Sequence, residues 1–149
     1  MQLDDNEIGL MPDTGAHGNL CGGPWILRQA TAAIKAGRKP SQQKLQEAKH
    51  VQGVGKGSQK CEYSVQLPLG LQDSSGVHYE EVYESPCLEE SAVPGLWGLP
   101  SLERNDALIS CKAGEHFAIR TRRCRDQDVS RISASSNVQG YFVPWAYFR

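Results

Sequence analysis

The chain has 149 residues, of which 16 are Lys or Arg and 17 are Asp or Glu, and its formal net charge at pH 7 is −1. Hydrophobic residues make up 39% of it, which with the glycines is typical of soluble globular domains and argues against wholesale disorder. This length predicts one domain with a real core and leaves no room for a second catalytic lobe. The near-neutral charge argues against a dedicated nucleic-acid-binding protein, which would be strongly basic.

The cysteines are odd in number and irregularly spaced: Cys21, Cys61, Cys87, Cys111 and Cys124. They lack the C-x2-C spacing of a zinc knuckle and do not resemble a secreted disulfide framework, so we expect free thiols in a reducing compartment. Residues 1–7 are acidic and show no signal-peptide pattern, and no stretch approaches the ~18 consecutive apolar residues of a membrane span. We therefore expect an intracellular, cytoplasmic protein with no membrane partner, no metal and no cofactor.

The first third of the chain predicts a short strand followed by a helix. Residues 8–11 form an apolar run that Pro12 should end. A helix is predicted over residues 24–36, with Gly37 as its stop. Its apolar face has the spacing i, i+4, i+7, i+8, given by Ile26, Ala30, Ala33 and Ile34. Residues 40–50 are polar, and their pattern fits either a helical turn or an edge strand.

The middle of the chain has the period-2 alternation of β-strands. Apolar and polar residues alternate strictly over residues 61–69, which predicts a half-buried strand. A turn cluster at residues 72–76 and a returning strand over residues 77–83 should complete a hairpin. Residues 107–111 and 116–119 flank residues 112–115 and are predicted to form the two strands of a second hairpin.

The remaining residues predict a connector and a terminal strand. Residues 120–140 are rich in Arg and Ser and resemble a mobile connector. Residues 141–148 are too aromatic for a solvated tail, so we expect them to pack as a strand.

Trp25 and Trp97 are more typical of a hydrophobic core than of a surface on which substrate stacks.

The most informative tetrapeptide is Asp13-Thr14-Gly15-Ala16, which follows an apolar run. The small residues after Asp13 allow a tight turn that presents a carboxylate beside backbone N–H groups. The Thr14 hydroxyl can hydrogen-bond across such a junction, and Gly15 tolerates close approach of a second backbone. Taken alone, the tetrapeptide fits an ordinary turn equally well.

Two further segments follow in order, Gly53-Val54-Gly55-Lys56-Gly57-Ser58-Gln59 and the stretch 94–102 that contains Leu96, Trp97 and Gly98. Together with residues 10–16 they resemble the catalytic loop, the glycine-rich flap and the apolar-apolar-Gly segment of retropepsin-type aspartic proteases, which retroviruses and retrotransposons encode. The order and separations agree over roughly residues 8–119, and residues 140–144 resemble the closing strand of such relatives.

The resemblance implies a mainly β fold, a single-domain closed β-barrel of the acid-protease type with one or two short helices. The protease domain would span residues 1–119, followed by the connector at residues 120–140. Residues 141–149 would return to pack on the domain as its C-terminal strand.

The resemblance also implies an aspartic endopeptidase with Asp13 as the catalytic carboxylate and Thr14, Gly15 and Ala16 supporting the loop. Because the chain has one Asp-Thr-Gly, a homodimer would pair two Asp13 side chains that share one proton and activate water. Residues 53–57 would fold over the substrate. Residues 96–98 would pack behind the active site. The substrate would be a polypeptide, including the polyprotein from which such a domain derives.

Other interpretations of these segments differ in how well they fit the sequence. Residues 53–57 do not fit a phosphate-binding loop, because Lys56 is followed by Gly57 rather than Ser or Thr. His17 could tune the carboxylate pair, although an exposed loop histidine is the more ordinary interpretation. The arginines of residues 120–125 could touch nucleic acid, but a solvated linker fits better.

Two features depart from the family pattern. Only 12 residues precede Asp13 in this sequence, whereas the family usually has a longer N-terminal segment that contributes to the dimer interface. Pro12 stands where an ordinary apolar residue is expected, and it donates no backbone hydrogen bond. The alternative function is therefore a catalytically inactive retropepsin-like fragment or a protein-association module.

Overall fold

The computed structural model describes residues 10–54, 57–72, 78–105, 107–109, 118–120 and 132–133. In these residues the protein is mainly β with two short helices, as predicted. The elements in chain order are β1 (Leu10–Asp13), β2 (Cys21–Gly22), α1 (Gly23–Lys35), β3 (Ser41–Val51), β4 (Gln59–Gln72), β5 (His78–Leu88), β6 (Gly95–Gly98), α2 (Leu99–Arg104), β7 (Leu108–Ile109), β8 (Ala118–Arg120) and β9 (Ile132–Ser133).

The largest sheet has four strands in the order β2-β5-β4-β3. The predicted half-buried strand over residues 61–69 is confirmed within β4, where Val65, Leu67 and Leu69 are buried and Gln66 is exposed. The predicted returning strand is also confirmed, because β5 pairs antiparallel with β4 from Gln72↔His78 onward. The predicted turn lies largely outside the described residues, since 73–77 are not among them.

The ambiguous segment at residues 40–50 forms β3, a strand at the edge of this sheet. It pairs antiparallel with β4 and shifts register between Lys44 and Lys49. None of its residues is buried. The polar composition of residues 40–50, which fitted either a helical turn or an edge strand, belongs to an edge strand. Both faces of this strand lie largely in solvent.

A separate parallel pair joins β1 to β6, with Met11 opposite Leu96 and Asp13 opposite Gly98. The prediction that Pro12 would end the first strand is wrong, because β1 continues through Pro12 to Asp13. In the described residues β1 has β6 as its one neighbour. A proline that donates no hydrogen bond is tolerated on such an edge strand.

The predicted helix at residues 24–36 is confirmed as α1, with bounds that differ by one residue. It ends where Gly37 N–H donates to the Ile34 carbonyl at 2.9 Å and Arg38 N–H donates to the Ala33 carbonyl at 2.8 Å, a Schellman arrangement. Its buried face agrees with the prediction in part, because Ala33 is buried and Ile26 and Ala30 pack against the core.

The buried residues of α1 are Trp25, Gln29 and Ala33, whereas Ile34 is 62% exposed. The indole of Trp25 sets this orientation, because it meets the Tyr83 ring edge-on with centroids 5.3 Å apart. Trp25 and Trp97 are 1% and 7% exposed, so the prediction that both tryptophans belong to the core is confirmed.

The third sheet joins three short strands late in the chain, in the order β7-β8-β9. Antiparallel pairing of β7 with β8 confirms the second predicted hairpin, while residues 110–117 between them lie outside the described part. Ile132–Ser133, within the predicted connector, pair with β8. The predicted terminal strand at residues 141–149 also lies outside the described residues. Neither described helix is long and apolar enough to cross a membrane.

Candidate active site

The Asp13 loop, residues 13–16, is a tight turn at the end of β1. Ala16 N–H donates to the Asp13 carbonyl oxygen at 3.2 Å, and Gly15 N–H donates to the Asp13 carboxylate oxygen Oδ1 at 2.9 Å. The Asp13 side chain is half-buried, and Thr14 and Gly15 are exposed. The loop thus presents one oriented carboxylate beside a backbone N–H donor at an accessible surface.

The junction of β6 and α2 supports this loop from behind. Leu99 N–H donates to the Ala16 carbonyl oxygen at 3.1 Å, and Asp13 lies opposite Gly98 in the parallel pair. A Cβ atom on Gly98 would lie 2.3 Å from the carbonyl oxygen of Gly18. The absence of a side chain at Gly98 is therefore what lets the chain after the Asp13 loop approach β6.

Asn19 ties three parts of the site together. Its Nδ2 donates to the Glu84 carbonyl oxygen of β5 at 2.8 Å, and its Oδ1 accepts from Gly98 N–H at 3.0 Å. The sequence analysis missed this residue. An asparagine in a polar loop carries no periodic signal, and its two partners lie 65 and 79 residues away.

Tyr83 is a second support that the sequence analysis missed. Its hydroxyl lies 2.9 Å from the carbonyl oxygens of both Leu20 and Leu96. These two residues also exchange backbone hydrogen bonds, at 3.3 Å and 2.7 Å. Burial holds the pKa of Tyr83 well above its usual value. The neutral hydroxyl therefore acts as a fixed donor that anchors the chain following the Asp13 loop.

The Asp13 loop borders a cavity of about 820 Å³ that it shares with the hairpin end, the described residues 52–54 and 57–58 between β3 and β4. Predicted site residues from all three motif segments line this cavity: Asp13, Gly15, Ala16, Gly53, Val54 and Leu96. Asp13 is the one carboxylate among the described lining residues. The sequence motifs and the cavity therefore coincide.

Four other predicted site residues in the described part of the chain, Thr14, Gly57, Trp97 and Gly98, are not part of the cavity lining. Thr14 is exposed in the Asp13 loop, and Trp97 and Gly98 lie behind it in β6. Gly57 lies at the β4 side of the hairpin end, and Gly55 and Lys56 are outside the described residues. His17 is exposed, as expected, and it lines the cavity together with Lys49 and His50.

The described cysteines are buried free thiols, as predicted for Cys21, Cys61 and Cys87; Cys111 and Cys124 lie outside the described residues. Burial raises the pKa of Cys21 to about 12 and that of Cys87 to about 11, and it also raises the pKa of Cys61. Protonated, inaccessible thiols are poor nucleophiles. Within the described residues, no group of three or more His, Cys, Asp or Glu side chains could hold a metal ion.

Comparison with protein-family models, with curated proteins and with solved structures finds no match to this chain.

Proposed function

We propose that the chain is an aspartic endopeptidase of the retrotransposon type that acts as a homodimer. The observation that carries this proposal is the position of Asp13, whose oriented carboxylate opens into the same cavity as Gly53 and Val54 of the hairpin end. A cleft of this size accommodates an extended peptide segment. The retropepsin-type closed barrel is part of the proposal, and the parallel β1–β6 pair behind the Asp13 loop supports it.

The chemistry of peptide hydrolysis is the reason for the homodimer. One carboxylate must accept a proton from water while a second, protonated carboxyl group polarises the scissile carbonyl. The described lining of the cavity offers one carboxylate, that of Asp13. A twofold axis beside the exposed residues Thr14 and Gly15 would bring the second Asp13 opposite the first. Two carboxyl groups this close share one proton, because both cannot be ionised together.

The hairpin end would cover the bound substrate. Its glycines lie between two antiparallel strands, and Gly53 and Val54 face the cavity that holds the Asp13 carboxylate. An extended peptide would form main-chain hydrogen bonds with such an edge. Closure of the hairpin end would exclude water from the reacting bond.

A peptide-cleavage assay on a mixed library between pH 4 and pH 7 tests this proposal. Asp13→Asn should lower kcat/KM by about 10³-fold or more, because it removes the proton-accepting group from both subunits. A statine-type inhibitor should block the wild type. Glu103→Gln, an exposed carboxylate in α2, is the matched control and should keep full activity. Cleavage that survives Asp13→Asn would exclude the mechanism.

Sedimentation at tens of micromolar protein tests the homodimer. The wild type and Asp13→Asn should both sediment as dimers, since the substitution preserves the shape of the loop. A monomer in both cases would overturn the paired-carboxylate mechanism. A dimer that cleaves no peptide would instead favour the alternative function, a protein-association module without catalysis.

A further inference from the structure

The charges around the cavity are uneven. Its described lining carries one acidic side chain, Asp13, and three basic side chains, His17, Lys49 and His50. Catalysis by the proposed dyad already uses the single acidic group. The remaining charge that a bound peptide would meet is therefore positive.

Lys49 lies on the face of β3 that is turned toward the cavity. Its register partner on β4 is the buried Cys61, and the Lys49 ammonium group acts to lower the pKa of that thiol, against the larger effect of burial. Val51, two residues further and therefore on the same face, packs against the buried cluster that contains Leu20 and Leu96. These contacts direct Lys49 to the side on which the Asp13 loop lies.

The charge of Lys49 is not compensated within the described part of the chain. Lys60 forms an ion pair with Glu62, at 2.5 Å, and Arg38 forms one with Glu80. No carboxylate lies within ion-pair distance of Lys49 in the described ranges. An approaching peptide would therefore meet an ammonium group that is free to pair with it.

We infer that the site prefers peptides with an Asp or Glu side chain close to the scissile bond, and that Lys49 is the residue that selects them. The inference rests on the proposed function and adds the substrate class. Lys49 is exposed, so water screens the pairing. A contact at about 4 Å in water gives roughly a fivefold preference, and raising the ionic strength weakens it.

Matched peptide pairs test the inference. Each pair differs by Glu or Gln at one of the four positions on either side of the cleaved bond, and the measured quantity is the ratio of kcat/KM values. The wild type should prefer Glu about fivefold at one or more positions at low salt. Lys49→Gln should bring that ratio to about 1, and Lys49→Glu should invert it.

Lys44→Gln is the matched control, because Lys44 is an exposed lysine of the same strand that does not line the described cavity. It should keep the preference for Glu. A wild type without a preference at any position, or a preference that persists in Lys49→Gln, would overturn the inference and leave the proposed function intact. If no peptide is cleaved in a manner that depends on Asp13, the proposed function itself fails and the inference fails with it.

Discussion

The two sides of the 820 Å³ cavity are built in opposite ways. On one side, the Asp13 loop is held by Leu99 N–H, by Asn19 and by the buried strand β6. On the other side, β3 and the hairpin end form an edge: no residue of β3 is buried, and β4 is its one neighbour among the strands that the structure describes. The carboxylate side is held by buried contacts, whereas we expect the hairpin side, which has fewer contacts to lose, to shift more readily.

From this difference we expect substitutions on the two sides of the cavity to affect different properties of the protein. Buried backbone that approaches closely leaves no space for an added atom, so substitutions there act on folding. Exposed hairpin residues have few contacts to lose, so substitutions there should act on binding while the fold persists. The experiments below test this contrast by substitution on both sides.

The largest expected effect is that of Gly98→Ala. The added methyl group would lie 2.3 Å from the Gly18 carbonyl oxygen, so β6 and the chain after the Asp13 loop must separate. We expect the free energy of unfolding to fall by about 3 kcal/mol in urea denaturation. Gly18→Ala is the matched control, since a Cβ there meets nothing within 4 Å, and it should change stability by about 0.5 kcal/mol or less. Equal effects of the two substitutions would contradict the close approach.

The next effect is a loss of stability in alkali that depends on Cys21. Below pH 9 the thiol is protonated in both the folded and unfolded states, so its burial stabilises the fold fully. Between pH 9 and the folded-state pKa of about 12, the unfolded chain releases this proton and the folded chain keeps it. The free energy of unfolding therefore falls with rising pH, by about 3 kcal/mol at pH 11, which is two pH units above the unfolded-state pKa of 9.0.

Urea denaturation from pH 8 to pH 11 measures this contribution of Cys21 as the difference in the free energy of unfolding between the wild type and Cys21→Ala. The difference should be constant below pH 9 and then shrink, because the variant lacks the thiol and keeps the other alkaline titrations, including that of Cys87. Parallel pH profiles of the two proteins would mean that Cys21 is accessible to solvent, and the contrast between a buried and an exposed side would weaken.

Removal of the Tyr83 hydroxyl should have a smaller effect. Tyr83→Phe leaves the ring in place and removes the hydroxyl that lies 2.9 Å from the Leu20 and Leu96 carbonyl oxygens. We expect a loss of about 1 kcal/mol in the free energy of unfolding. Tyr63→Phe is the control, because Tyr63 is half-buried and its hydroxyl has no hydrogen-bond partner among the described residues. A Tyr83→Phe variant as stable as this control would show that the hydroxyl is not an anchor.

Local patterns in the sequence predicted the helices and strands well, but they did not predict the contacts between residues that are distant in the sequence. The alternation at residues 61–69 and the apolar spacing at residues 24–36 report burial along one element, and both elements were found. The buried face of α1 was predicted in part: Ala33 is buried and Ile26 and Ala30 pack against the core, but Ile34 is exposed. The rest of this face depends on the contact between Trp25 and Tyr83, which are 58 positions apart in the sequence. The prediction that Pro12 ends the first strand was wrong, because a proline ends a strand only where a neighbouring strand needs its N–H group as a hydrogen-bond donor.

The candidate site divides in the same way. Asp13 and Gly53, which line the cavity, were among the predicted residues because small residues beside a carboxylate, and glycines before an alternating strand, are local signals. Asn19 and Tyr83 were missed because each forms a hydrogen bond to a residue more than 60 positions away, Asn19 to Glu84 and Tyr83 to Leu20. No pattern in the sequence distinguishes such residues from ordinary loop and strand positions.

The smallest expected effect on stability is that of Gly53→Ala. Gly53 has a φ of +87° and open space around its Cβ position, so the substitution adds backbone strain without a clash. The strain of about 1 kcal/mol falls on the hairpin end, which can shift locally, and the global free energy of unfolding should fall by less than about 1 kcal/mol. Because Gly53 lines the cavity, the KM for a cleaved peptide should rise.

Gly53→Asn is the matched control, because asparagine adopts positive φ more readily than alanine. It should keep a KM closer to that of the wild type. Urea denaturation and peptide kinetics on the same samples separate the effect on folding from the effect on binding. A loss of stability as large as that of Gly98→Ala would mean that the hairpin end is held as firmly as the Asp13 loop. In that case both sides of the cavity fix its geometry, and an adaptable hairpin cannot explain how substrate is covered.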